Sequence, residues 1–213
     1  AYFLQHNLSL ADKKQIQDLT AQLFQAQMIQ QLFSHQENNH YSAHLMQELA
    51  KTKSLLIHNN DTNHAFYLGI TLKHMNSKGQ MICDVTVFNG GKGLGFHDQP
   101  DGLRRRDRFI PGKDNGKRIT QQVFTDIKIS KNRLGFLIAN INKANRSSWR
   151  PKFSIEFIYG ALRYWSKKVD HSTCTGSKVE PILQAKQKKR NCQLKSLMVV
   201  AKHNLSPRAY MVY

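Results

Sequence analysis

The sequence is short of cysteine, of acidic residues and of long apolar runs, and each shortage excludes a class of protein. Three cysteines in 213 residues, an odd number with no regular spacing, do not make a disulfide scaffold, and free thiols fit a reducing compartment. No apolar run approaches the roughly 20 residues of a membrane-spanning helix. With 14 acidic residues and no paired carboxylates in one motif, a two-carboxylate hydrolytic mechanism is not expected.

What the chain does have is positive charge and enough apolar residues for a core. It is 40% hydrophobic and 22% charged, which is typical of a folded protein. The 32 basic residues give a net charge of +18, concentrated in residues 104–108, 113–118 and 186–190. This charge favours an acidic partner: nucleic acid, an anionic membrane surface, an inositol phosphate or an acidic protein. Solvated surface loops would give the same pattern.

The pattern of apolar residues predicts an α+β fold with an antiparallel sheet. Residues 1–53 read as a helical N-terminal extension that braces the rest of the chain, or equally as a linker to a missing domain. Residues 54–213 read as one further domain. The predicted helices cover 9–33, 42–51, 131–144, 161–165 and 192–203; the predicted strands cover 55–57, 65–72, 81–88, 123–129 and 153–159; residues 89–121 and 166–181 are predicted loops.

One predicted hairpin brings a histidine close to an asparagine. A turn centred between Ser77 and Lys78 places Phe66 opposite Asn89, so that His64 lies diagonally beside Asn89. The side-chain oxygen of Asn89 can accept an imidazole N–H and orient the ring. Asp84 would face Thr71, about 16 Å from His64. Asp84 is therefore the alternative partner only if a bulge shifts the register.

The best candidate nucleophile is Cys192, the first residue of a predicted helix. A helix N-terminus stabilises a thiolate through its partial positive charge and free N–H groups. Gln187 is positioned upstream to donate to an oxyanion, and Asn191 to bind substrate. Cys174, in a polar loop, is the second choice, and Cys83, in an apolar run, reads as a buried hydrophobic residue.

The remaining motifs carry less information. Gly90 and Gly91 follow the hairpin and would let the backbone pass close to a substrate peptide, although a plain flexible loop has the same composition. His171 and Cys174 have the spacing of metal ligands, but no second pair completes a tetrahedral zinc site. We expect no metal and no cofactor.

The order His64, Asn89, Gln187, Cys192 resembles a permuted papain-like arrangement. It is similar to that of the ubiquitin-like-protein proteases, of YopJ-type acetyltransferases and of cysteine-protease-like effectors of intracellular bacteria such as Legionella. Arg190 precedes Asn191, where those families usually have small or acidic residues, and Gln187 stands about one residue closer to the cysteine than is usual.

The resemblance implies both a fold and a function. It implies that residues 54–213 form a cysteine-protease-like domain of papain-like α+β fold, with a central antiparallel sheet packed by a helix that carries the nucleophilic cysteine. The implied function is that of a thiol protease, a secreted virulence effector that cleaves peptide or isopeptide bonds of a protein in the host cytoplasm. The implied substrate is a ubiquitin-like protein or another acidic protein. Two alternatives stay open: an acyltransferase that uses the same triad, and a basic module that binds nucleic acid or an anionic surface.

Overall fold

A computed structural model describes residues 8–35, 38–61, 64–89, 117–119, 121–146, 151–170, 183–185 and 192–212. Within these ranges the chain is α+β, with an antiparallel sheet between helices, and the coarse prediction of the fold class is confirmed. The elements are α1 (Leu10–His35), α2 (Asn38–Thr52), β1 (Ser54–Asp61), β2 (His64–Met75), β3 (Met81–Asn89), β4 (Lys117–Ile119), β5 (Gln121–Ile129), α3 (Lys131–Arg146), α4 (Pro151–Trp165), β6 (Lys168–Asp170), β7 (Leu183–Ala185), α5 (Cys192–Asn204) and α6 (Pro207–Val212).

The main sheet has five strands in the order β1-β2-β3-β5-β6, and every neighbouring pair is antiparallel. The predicted hairpin register is confirmed from Phe66 to Leu72, where Phe66 pairs with Asn89 and Thr71 with Asp84. Between Leu72 and His74 the register shifts by one residue, so that next to the turn Met75 pairs with Met81. The turn is held by Asn76, whose Oδ1 accepts the backbone N–H groups of Lys78 and Gln80. The short strands β4 and β7 pair separately.

Helices cover both faces of the sheet. One face carries the main core, in which Val85 and Val87 pack with residues of α2, α3 and α4. The other face carries a smaller cluster, in which Tyr67 and Phe88 pack with residues of α1, α5 and α6. Helix α1 also contributes Ile29 to the main core. Side chains alternate between the two faces along a strand, and this alternation decides below which candidate residues can meet.

Three sequence predictions of secondary structure were wrong, and one of them is the predicted loop 89–121, which contains β4. Residues 153–159 were expected to be a strand, because aromatic and branched residues alternate there, but they belong to α4. Pro151 is the first residue of that helix, a position that suits its fixed φ and missing N–H, and Ile158, Tyr159 and Leu162 form a buried helical stripe. The predicted loop 166–181 contains β6, which pairs with Thr125 and its neighbours at the sheet edge.

The N-terminal helix is tied to the last helix of the described chain. Ser206 caps α6, donates its hydroxyl to Asp12 at 2.5 Å and donates its backbone N–H to Gln15 at 2.8 Å. Asp12 also accepts the hydroxyl of Ser9, whose oxygen in turn caps α1. These hydrogen bonds lower the pKa of Asp12, the bond from Ser206 most of all. Helix α1 is thereby anchored to the rest of the fold at its first turn.

Candidate functional site

The mouth of the β2–β3 hairpin carries the buried residue Asn89. Asn89 is the last residue of β3 and is 0% exposed. Its Nδ2 donates to the hydroxyl of Tyr159 in α4 at 3.4 Å. Burial raises the pKa of Tyr159, so the phenol stays neutral. Asn89 is therefore held against α4, on the face of the sheet that carries the main core.

The backbone places His64 where the sequence predicted it. His64 opens β2, pairs with Asp61 of β1, and precedes by two residues Phe66, the partner of Asn89. It is thus diagonal to Asn89 in the register. The side chain of His64 lies outside the described part of the structure.

Helix α5 begins at Cys192, as predicted, and it packs against β2 and β3. These are the two strands that carry His64 and Asn89. The side chain of Cys192 also lies outside the described part. The backbone N–H groups in the first turn of an α-helix have no intrahelical partner.

The packing of α5 separates it from Asn89. Val199 and Val200 of α5 lie in the cluster with Phe88, whereas Asn89 contacts α4 on the opposite face. The ring of His203 lies 5.0 Å from that of Phe88, so the C-terminal end of α5 is the one near the hairpin mouth. Cys192 is about 16 Å from His203 along the helix, since an α-helix rises about 1.5 Å per residue. Within the described residues, then, no contact joins the His64–Asn89 half of the predicted site to the half at Cys192.

Asp84 has a structural role. The strands β3 and β5 shift register between Cys83 and Val85, where β5 has one extra residue, and Asp126 in this bulge adopts a positive φ of 56°. Asp84 accepts the backbone N–H of Asp126 at 3.0 Å, and both carboxylates face the Lys73 ammonium, at 3.7 and 2.8 Å. The hydrogen bond between the Lys73 ammonium and the Asp126 carboxylate raises the pKa of Lys73 and lowers that of Asp126. Asp84 therefore stabilises the bulge.

Cys83 is confirmed as a buried residue without a disulfide. Burial raises the pKa of its thiol to about 12, which keeps it protonated and unreactive at neutral pH. Cys174, Gln187, Asn191, Gly90 and Gly91 lie outside the described residues.

Sequence reasoning missed Gln122 and Tyr159. Gln122 is 1% exposed and pairs with Val87, which places its side chain on the same face as Asn89. The sequence predicts one buried strand face formed by Val123, Thr125, Ile127 and Ile129, which would leave Gln122 on the other face. The bulge at Asp126 breaks that period, so the residues on either side of it belong to different faces.

Comparisons with models of known protein families, with curated proteins and with solved structures found no match. In the part of the chain that the structure describes, no three histidine, cysteine or acidic residues are grouped as metal ligands. None of the described helices combines the length and apolarity needed to cross a membrane.

Proposed function

We propose that the chain is a thiol hydrolase with a papain-like arrangement, which cleaves peptide or isopeptide bonds of a host protein. The observation that carries the proposal is that α5 begins at Cys192 and packs on the two strands that carry His64 and Asn89, on the face opposite Asn89. Cys192 attacks the carbonyl carbon, and His64 holds the thiolate as an ion pair and then protonates the leaving amine. Asn89 orients His64, and Gln187 donates to the oxyanion.

The proposal requires the Cys192 thiol to lie close to His64. The packing of α5 does not by itself bring the two residues together. The pairing of Phe66 with Asn89 supports the His64–Asn89 half, and the helix start at Cys192 supports the other half. The decisive measurement is therefore the rate of a thiol reaction that requires both Cys192 and His64.

The experiment is labelling with a limiting amount of an electrophilic thiol probe, followed by peptide mapping. We expect fast labelling at Cys192 alone, abolished in Cys192→Ala and slowed at neutral pH in His64→Ala. Cys174→Ala should label like the unmodified protein. His74→Ala is the matched control, because His74 is an exposed histidine on the same strand. Labelling that survives in Cys192→Ala, or that His64→Ala does not slow, would contradict the proposal.

The same triad would serve an acyltransferase, in which the acyl-thioester passes to a side chain of a host protein. Mass spectrometry of candidate protein substrates separates the two reactions, since hydrolysis leaves cleaved peptides and transfer leaves acylated side chains. Both activities require the Cys192 thiol and are lost in Cys192→Ala.

The net charge of +18 favours a second function of another class, the binding of nucleic acid or of an anionic surface such as inositol phosphate headgroups. Such binding weakens steeply as salt screens the phosphate contacts. A salt titration of binding to duplex DNA and to vesicles that contain phosphoinositide tests it. Cys192→Ala should bind as the unmodified protein does, which distinguishes this function from thiol chemistry.

A further inference from the structure

One group of polar side chains lies within the main apolar core, and we call it the polar cluster: Asn89, Gln122 and Tyr159. Gln122 is the unusual member. It is 1% exposed, and neither its Nε2 nor its Oε1 has a hydrogen-bond partner within the described structure. Native proteins seldom bury an amide in this way, because its hydrogen bonds to water are lost without replacement. The side chain is ready to bind a group that would restore both bonds.

The register places Gln122 in the middle of the cluster. Gln122 of β5 pairs with Val87 of β3, and Asn89 and Phe124 stand diagonally on either side of that pair. Tyr159 contacts both of these diagonal neighbours. Its ring centroid is 6.3 Å from that of Phe124, and its hydroxyl is 3.4 Å from Nδ2 of Asn89. The Tyr159 side chain therefore lies across the Val87–Gln122 pair, in the same layer as the Gln122 amide.

The surroundings determine what group the cluster would accept. Val87, Phe124 and Ile158 are all fully buried in the same core, so a charged ligand would lose its hydration without compensation. The Tyr159 phenol is itself neutral, because burial raises its pKa. Gln122 offers one donor and one acceptor side by side. Another amide offers the complementary pair.

We propose that the polar cluster is a binding site for a neutral amide group, in which Gln122 donates from Nε2 to the carbonyl oxygen of the ligand and accepts its N–H at Oε1. Asn89 is the last residue of β3 and Gln122 the second of β5, so the site lies at the end of the sheet and not in its middle. The proposal is independent of the thiol chemistry, and it holds or fails whatever Cys192 does.

The test is a titration of the full chain with acetamide, followed in ¹H–¹⁵N spectra through the side-chain amide of Gln122. That signal is assigned by its loss in Gln122→Leu. We expect a saturable shift with acetamide and none with acetate, which has the same shape and a charge. The control is Gln121→Leu, the neighbouring residue whose side chain points to the other face of the sheet; this variant should respond to acetamide as the unmodified protein does.

Melting temperatures supply the second measurement. Gln122→Leu and Gln122→Met remove a buried amide without partners, so at least one of them should melt at or above the temperature of the unmodified protein. If both melt well below it, Gln122 already makes stabilising hydrogen bonds and the proposal is overturned. It is equally overturned if acetamide gives no saturable shift, if acetate shifts the signal as strongly, or if a long-lived water is detected at the Gln122 amide.

Discussion

His58 should make the protein acid-sensitive, because its ring is buried where a charge is costly. It lies on β1, is 7% exposed and stacks on Tyr67 with ring centroids 4.3 Å apart and planes 15° from parallel. Burial lowers the pKa of His58 from its ordinary value of 6.5 to about 4. The unfolded chain therefore takes up the proton first as the pH falls. Stability is retained above pH 6.5 and is lost progressively between pH 6.5 and about 4.

The size of the effect follows from that difference in pKa. Each pH unit between the two values corresponds to about 1.36 kcal/mol, so the full loss below pH 4 is about 3.4 kcal/mol. At pH 5 the linkage relation gives a loss of about 2 kcal/mol relative to pH 7.5. This is a large fraction of the 5–15 kcal/mol by which proteins are typically stable.

The variant that isolates this effect is His58→Phe, which keeps a ring against Tyr67 but has no titrating group. Urea unfolding at pH 7.5 and at pH 5 measures the loss of stability in both proteins. We expect the unmodified protein to lose about 2 kcal/mol more than the variant over this interval. Burial also lowers the pKa of His203, but that residue is present in both proteins and cancels in the comparison. Equal losses in the two proteins would refute the reasoning.

Three other substitutions test separate parts of the structure. Gly69→Ala would bring a methyl group to 3.0 Å from the ring of Phe88, and we expect a loss of about 1–3 kcal/mol in denaturant unfolding; Gly160→Ala, in open space on α4, should instead gain about 0.5–1 kcal/mol, and a loss there would contradict the helix. Asp84→Asn should lower stability by less than about 1 kcal/mol, because its ion pair with Lys73 is partly exposed. It should leave the rate of thiol labelling unchanged, and a large fall in that rate would return Asp84 to the candidate site.

The hairpin could be predicted because the turn and strand residues that form it are close together in the sequence. Counting from a turn between Ser77 and Lys78 predicts the pairing of Phe66 with Asn89, and the structure has this pair. The shift between Leu72 and His74, which lies nearer the turn, was not predicted. The start of α5 at Cys192 was predictable for a similar reason, since an apolar helical pattern begins there.

The environment of Asn89 was not predictable in the same way. Its contact with Tyr159 joins residues 70 positions apart, and Tyr159 was assigned to a strand because its segment alternates as well as it follows a helical period. The packing face of α5 depends equally on long-range contacts, and neither strand register nor helix position determines it. The bulge at Asp126 hid Gln122, because one inserted residue exchanges the two faces of a strand.

The hydrogen bonds from Ser206 to Asp12 and Gln15 have a consequence for the order in which the molecule forms. They close a loop of about 190 residues, and closing a loop of that length costs conformational entropy that local contacts do not repay. Helix α1 is synthesised well before its partners in α5 and α6, which lie about 190 residues further along the chain. During synthesis the apolar side of α1, including Leu19 and Ala26, must wait without its C-terminal partners. Helix α1 is thus made before the residues that complete its packing, and part of its apolar side stays exposed until α5 and α6 have been synthesised.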